Sequence, residues 1–254
     1  MNVLVCAKRV PMTGGTIVLT ADEQAIETRH LGFTISPHEE CGVEEAVRLI
    51  EANDGESVVL TLGPAEAEEQ LRDAMALGVD RAILLQVEDE WDAQATARAI
   101  VDAVDAEREA GTSFDLIFFG NESADSGNYQ VGIRVAHALG LPCVTGVKAM
   151  AVEGGRARCE QETATGRDVY EVPLPAVVTV KEGLNLPRYP SVPGRLRAKR
   201  KPLETRTPER RAGDVQKLRL KLPPGQGKQA EILGHGPGAA PAVVEVLRQA
   251  GLVS

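Results

Sequence analysis

The chain has 254 residues, 43% hydrophobic and 26% charged, enough to bury a core as one large domain or as one domain with an appended arm, and outside the collagen-like, coiled-coil and wholly disordered classes. With 28 Lys and Arg against 37 Asp and Glu the net charge is −9, which repels a polyphosphate and excludes a general nucleic-acid binder. Aromatic residues make up only 3%, so a flat ligand must be held by backbone and polar groups rather than by stacking.

The first ten residues, MNVLVCAKRV, put the apolar run before Lys8 and Arg9, the reverse of a secretory signal. No apolar stretch approaches the ~20 residues of a membrane span. A cytoplasmic protein without direct membrane insertion is expected. Cys6, Cys41, Cys143 and Cys159 are scattered without a CxxC pair, which predicts reduced thiols and no metal site.

In chain order, β-branched runs at 3–6, 58–61, 82–85 and 116–119 alternate with amphipathic segments, the signature of βα units closing on a mostly parallel sheet. Val43, Ala46, Val47 and Ile50 recur at helical spacing, as do Ala97, Ile100, Val101 and Val104. A helix between these stripes opens at Pro64, carries Ala67, Leu71, Ala74 and Met75 on one face and stops near Gly78, and another spans about 130–140. From 146 to 180 the pattern turns to strands, at 147–152, 156–161, 169–172 and 176–180, with the turn Glu153-Gly154-Gly155, and predicts a β-meander added to the α/β core. Beyond Lys181 the chain is rich in proline and basic residues, and its end holds PPGQGKQ, GHGPGAAP and a last helix at 241–250. The tail has too little apolar periodicity to fold alone and is expected to wrap a partner. The domain expectation is 1–204 for the α/β body and 205–254 for the arm.

Three places could carry chemistry. The loop after the most hydrophobic strand, LIFFGNESADSGNYQVG from Leu116 to Gly132, lies where a parallel sheet binds ligands, beyond the strands' carboxyl ends and ahead of free helix amides. Gly120, Gly127 and Gly132 would permit close backbone approach, while Asn121, Ser123, Asp125, Ser126 and Asn128 can bond a ribose or phosphate. It is neither a P-loop nor a GxGxxG fingerprint. The second is SPHEECGVEEAVRL from Ser36, in which Glu39, Glu40, Glu44 and Glu45 are expected as solvated residues matched to the helix dipole and His38 as a loop-packing residue. The third is the basic run Arg195, Arg197, Lys199, Arg200 and Lys201, either a solvated face or an acidic docking site. It follows the loop Pro187-Arg188-Tyr189-Pro190-Ser191-Val192-Pro193, whose prolines preorganise an apolar tip.

At VLVCAKRVP, VEEAVRL, TLGPAEAEEQLRDAMALGVDRAI, LPAVVTV and PRYPSVPGRLRAKRKPLE, in that order, the chain resembles the small (beta) subunit of electron transfer flavoproteins. The likeness implies an α/β fold, Rossmann-like and adenine-nucleotide alpha hydrolase-like, with the mostly parallel sheet, the added meander and the extended C-terminal arm. It implies an electron carrier rather than an enzyme acting alone, paired with a large (alpha) subunit that holds most of the FAD. Electrons would arrive from an acyl-CoA or related flavin dehydrogenase and leave toward a membrane quinone oxidoreductase. The family's AMP contacts fall here on Cys6, Ser36, Pro37, His38, Glu39, Leu62, Glu122, Ser123, Ala124, Asp125, Ser126, Gly127, Asn128, Tyr129, Gln130, Val131 and Gly132. Its partner contacts fall on Glu162 and, within a recognition segment at about 184–201, on Tyr189, Pro190, Ser191, Val192 and Pro193. The family's Asn is Ser36 here and its Asp or Cys is Glu39. A bifurcating subgroup that binds a second FAD resembles DGDTAQVGP where this chain has DSGNYQVGI. AMP, a second FAD in that site, and a stand-alone adenine-nucleotide-binding enzyme or signalling domain are the readings carried forward.

Overall fold

The computed structural model describes all residues except 13, 15, 212–214, 224–230 and 254. It divides into a body, 1–218, and a second unit, 219–254. The body is built on β1 (Asn2–Cys6), a short ribbon of β2 (Val10–Pro11) and β3 (Phe33–Thr34), α1 (Pro37–Asn53), β4 (Glu56–Gly63), α2 (Glu68–Leu77), β5 (Arg81–Gln86), α3 (Ala93–Glu109), β6 (Leu116–Gly120) and α4 (Val131–Leu139). There follow β7 (Cys143–Glu153), β8 (Arg156–Thr163), β9 (Gly166–Pro173), β10 (Ala176–Val180), α5 (Val192–Ala198) and β11 (Leu203–Arg206).

The large sheet runs β11-β5-β4-β1-β6-β10-β7-β8-β9. Every pair from β11 to β7 is parallel, and only β7-β8 and β8-β9 are antiparallel. Alternate strand residues feed two cores. Val3, Val5, Phe118 and Val178 pack with Val43, Ala46 and Val47 of α1 and Leu71, Ala74 and Met75 of α2. Leu4, Leu60, Ile83 and Ile117 pack with Ile100 and Ala103 of α3 and Val135 and Ala136 of α4 on the other face. Burial on both faces explains why these strands read as continuous apolar runs.

Local chemistry sets the helix ends. The Asp92 carboxylate accepts from the amides of Gln94 and Ala95 and starts α3. Pro64 caps a 3₁₀ turn, Ala65–Ala67, that leads into α2 instead of occupying the helix's own first turn. Gly78 ends α2 at φ +147°, where a Cβ would stand 2.7 Å from Val47 Cγ1, so glycine lets α1 and α2 close.

Two expectations need correction. The strand at 176–180 is no part of the meander: β10 inserts between β6 and β7, parallel to both, with Ala176 opposite Leu116. All five of its residues are buried, as a central strand requires. In the basic segment Arg195, Arg197, Lys199 and Arg200 are exposed, Arg195 beside Asp73 at 3.0 Å, but Lys201 leaves that face: it turns inward and donates to the carbonyls of Met75, Gly78 and Val79 at the end of α2. The segment also contains α5, capped by the Ser191 hydroxyl, which accepts from the Gly194 amide.

Beyond this segment β11 pairs parallel with β5 and spans the 204/205 position. Its Arg206 shares buried Glu107 with Arg81. The second unit contains a 3₁₀ turn, Gly236–Ala239, and α6 (Ala240–Gln249), which matches the last predicted helix. Most of PPGQGKQ lies outside the described residues.

Candidate functional site

Parallel strands end together, so β1, β6 and β10 deliver the segments that follow them to one edge. Between the β6–α4 loop, the start of α1 and the residue two past β10 lies a cavity of about 380 Å³. Its lining is Ser36, Pro37, His38, Glu122, Ser123, Ala124, Asp125, Ser126, Gly127 and Glu182. Two stretches more than eighty residues apart in sequence, both singled out above, thus meet in one pocket.

The chemistry of its walls is set by three long-range ties. His38 Nδ1 accepts from the Glu182 amide at 2.7 Å, which leaves the proton of the neutral ring on Nε2, 3.4 Å from Glu122 Oε1. His38 is therefore a bridge among three segments rather than loop packing. Lys8, just past β1, reaches Asp125 at 2.6 Å and Ser126 Oγ at 3.5 Å. Burial opposes ionisation of Asp125, but Lys8, Ser123 and the Ser126 amide outweigh it and hold the carboxyl below its ordinary range. The Thr179 hydroxyl donates to Asn121 Oδ1 at 2.9 Å and accepts from the Gly146 amide at 3.1 Å, which fixes the loop's first residue.

Beneath the pocket Glu39 is 5% exposed, and Glu44, a turn and a half further along α1, is 2% exposed. The expectation of solvated helix residues fails for both, because each has polar partners that replace water. Glu39 accepts from the Ser36 amide and hydroxyl at 3.0 and 2.8 Å and from the Lys8 amide at 3.1 Å. Burial outweighs these bonds and pushes its carboxyl up to about 7. Burial and the neighbouring Glu39 raise the Cys6 thiol strongly, so it is inert as a nucleophile.

At two of the loop's glycines the close neighbours are protein groups. A Cβ on Gly120 would stand 2.7 Å from Glu39 Cγ, and one on Gly132 2.9 Å from Thr179 Cγ2 and 3.1 Å from the Phe119 ring. Glycine at these positions seats α1 and α4 on the sheet. Asn128, Tyr129 and Gln130 carry the loop on to α4, with Tyr129 at φ +56°. The Gln130 side chain accepts from Arg134 and does not cap the helix, so Val131 and Gly132 open α4 with amides that no side-chain cap satisfies. Cys6 and Leu62 lie at the ends of β1 and β4, outside the lining.

Lys8 and Glu182 are the site residues that sequence reasoning missed. Position was the signal for Lys8, two residues beyond a central strand on the ligand-binding edge. Nothing local marks Glu182, which depends on where β10 inserts. Of the expected partner residues, Glu162 pairs with Lys148 at 2.8 Å on the meander. Tyr189 and Val192 are 96% and 73% exposed, with Pro190, Ser191 and Pro193 beside them. Among the described residues no cluster of His, Cys, Asp or Glu is placed to hold a metal ion, and no helix is long and apolar enough to cross a membrane.

Fold and site together define a Rossmann-like α/β domain with a nucleotide-sized pocket at the carboxyl edge of its parallel strands. The sequence model of the "Electron transfer flavoprotein domain" matches residues 25–210. Named relatives are called "Electron transfer flavoprotein subunit beta": that of Bacillus subtilis (strain 168) is 36% identical over 80% of this chain and 78% of its own. That of Syntrophomonas wolfei subsp. wolfei is 36% identical over 91% and 90%, and that of Bradyrhizobium diazoefficiens 34% over 82% of each. The chain belongs to the electron transfer flavoprotein family, with the beta subunits, and its class of work is electron transfer.

Proposed function

We infer that this chain is the small subunit of a heterodimeric electron carrier, with FAD held mainly by the large subunit and AMP held structurally here. The supporting observation is the pocket itself: an open, polar-walled cleft of about 380 Å³ at the ligand-binding edge of the sheet, large enough for a nucleoside monophosphate. The donor set fits AMP in two halves. Glu122 and Glu182 can accept from ribose hydroxyls or an exocyclic amine, while the uncapped amides opening α4 suit a phosphate. Lys8 neutralises Asp125 in the pocket wall. Of the remaining contact residues, Glu39 and Cys6 form the floor, Leu62 adds an apolar edge, and Asn128 to Gly132 lead to the phosphate end. Tyr129, bulky where the bifurcating pattern has Ala, weighs against a second FAD.

FAD on the large subunit supplies the one- and two-electron chemistry, and this chain supplies binding, orientation and docking. Tyr189, Pro190, Ser191, Val192 and Pro193 present an apolar tip to an acyl-CoA or related flavin dehydrogenase, and Glu162 meets an arginine of the large subunit's moving flavin domain. Of the arm expected at 205–254, Thr205 and Arg206 are held in β11 and the remainder clasps the large subunit; on α6 Val243, Val244 and Val246 are all more than 40% exposed, which suits a helix that packs on a partner. Electrons then pass to a membrane quinone oxidoreductase, the carrier itself working in the cytoplasm.

Denaturing the purified heterodimer and separating the released nucleotides tests the assignment. One FAD and one AMP per heterodimer are expected. Two FAD and no AMP overturn it.

A further inference from the structure

The segment between β10 and α5 has no regular structure, yet it is tied to α1 residue by residue. Asn185 Nδ2 donates to the Cys41 carbonyl at 3.0 Å and to Glu45 Oε2 at 2.9 Å. Arg48 Nη2 donates to the Leu186 carbonyl at 3.3 Å. Arg188 then makes five bonds. Its amide and Nε donate to Glu44 Oε2 at 3.1 and 2.9 Å, and Nη2 to Glu44 Oε1 at 3.2 Å. Nη1 and Nη2 also donate to the two oxygens of Glu51 at 2.6 and 2.9 Å. One guanidinium thus grips two carboxylates two turns apart on one face of α1, a forked geometry that lysine cannot reproduce.

The far end of α5 is fixed separately. Arg72 Nη1 donates to the carbonyls of Ala198 and Lys201, both at 2.8 Å, and Gly194 lies so close to α2 that a Cβ would stand 2.5 Å from the Ala76 carbonyl oxygen. Between the two anchors stand Tyr189, Val192 and Leu196, 96%, 73% and 60% exposed, the last two on one helix face at i, i+4. Pro187 and Pro190 bracket Arg188 and leave the backbone few ways to move between the clamp and Val192.

We propose that Arg188, gripping Glu44 and Glu51, is a positioning residue that holds Tyr189 and Val192 in their docking arrangement, so that a dehydrogenase meets a face already ordered. This rests on the docking reading above. The clamp does not touch the partner. It lowers the ordering cost of binding, and its loss shows as weaker recognition with unchanged chemistry. After that loss Glu44 keeps one partner, Arg48 Nε at 2.6 Å.

The test uses the intact heterodimer as electron acceptor for a purified acyl-CoA dehydrogenase already shown to reduce the wild-type protein. Arg188→Gln is expected to raise the KM for the heterodimer about tenfold, as two side chains lose their order, with kcat and FAD content unchanged. Arg188→Lys restores the charge but not the fork and leaves KM raised. If Arg188 acts through Val192, adding Arg188→Gln to Val192→Ala raises KM less than it does in wild type. A KM that responds to Val192→Ala but not to Arg188→Gln overturns the clamp and leaves the docking reading standing, as do two effects that simply multiply. A KM indifferent to Val192→Ala overturns the docking reading and the clamp with it. Should Arg188→Gln fail to assemble, Glu51→Gln, which loosens only the exposed half of the grip, is expected to raise KM by a smaller factor, and an unchanged KM there overturns the clamp.

Discussion

Replacing Glu39 with glutamine isolates the effect of placing a carboxyl under the nucleotide pocket. Burial moves its titration from 4.5 to about 7, some 2.5 units, and at about 1.36 kcal/mol per unit this corresponds to about 3 kcal/mol. The native state holds the proton more tightly than the unfolded chain does. The contribution is therefore complete below pH 4.5, is lost as pH rises to about 7, and is flat above that. Glutamine keeps the length without the charge; its NH2 replaces one of the two accepting oxygens, a cost that does not vary with pH and drops out when the profiles are compared. Urea denaturation of the heterodimer at fixed protein concentration, from pH 5 to pH 8, is expected to show the variant gaining most of those 3 kcal/mol relative to wild type. If AMP binds in the pocket as proposed, its negative charge disfavours the Glu39 carboxylate, so its affinity in wild type is expected to fall as pH rises through 7 and to be less pH-dependent in Glu39→Gln. Identical pH profiles for the two proteins would refute the burial argument.

Two further substitutions probe other parts of the molecule. Gly132→Ala drives a methyl group to within 2.9 Å of Thr179 Cγ2 and 3.1 Å of the Phe119 ring and is expected to cost about 1–3 kcal/mol of stability by urea denaturation; an unchanged midpoint counts against close packing of α4 on the sheet. Glu162→Ala, which also frees Lys148, is expected to change the rate of flavin reduction in stopped flow while dehydrogenase affinity holds, and equal rates remove its conformational role.

Periodic positions were readable from the chain, and long-range partners were not. Val43, Ala46, Val47 and Ile50 announce α1 because one face of a helix must be apolar. The run LIFFG, followed by small polar residues, announces the ligand edge of a parallel sheet. The same helix logic misplaces Glu39 and Glu44, since acidic residues in a first turn are ordinarily solvated. What buries Glu44 is Arg188, 144 positions away, a pairing that no local window contains. AVVTV carried its own signal in five unbroken apolar or β-branched residues, the mark of a strand covered on both faces, but proximity to the meander suggested hairpin pairing instead. Leu203–Arg206 looks like a charged tail because β11 is an edge strand, whose outer face needs no apolar residues.

The place of β10 bears on how the chain must be assembled as it leaves the ribosome. β6 and β7 are made early and stand one strand apart, but the strand that fills the gap is translated only after the whole meander. Until residue 180 has emerged, β6 has an open edge beside Ile117 and Phe118, both fully buried in the finished sheet, and β7 cannot dock on its parallel neighbour. Non-local parallel pairing is slow because a long loop must close before any contact rewards it. The nascent chain therefore passes through a stage with an unpaired apolar edge, and lengthening the meander would delay closure of the sheet.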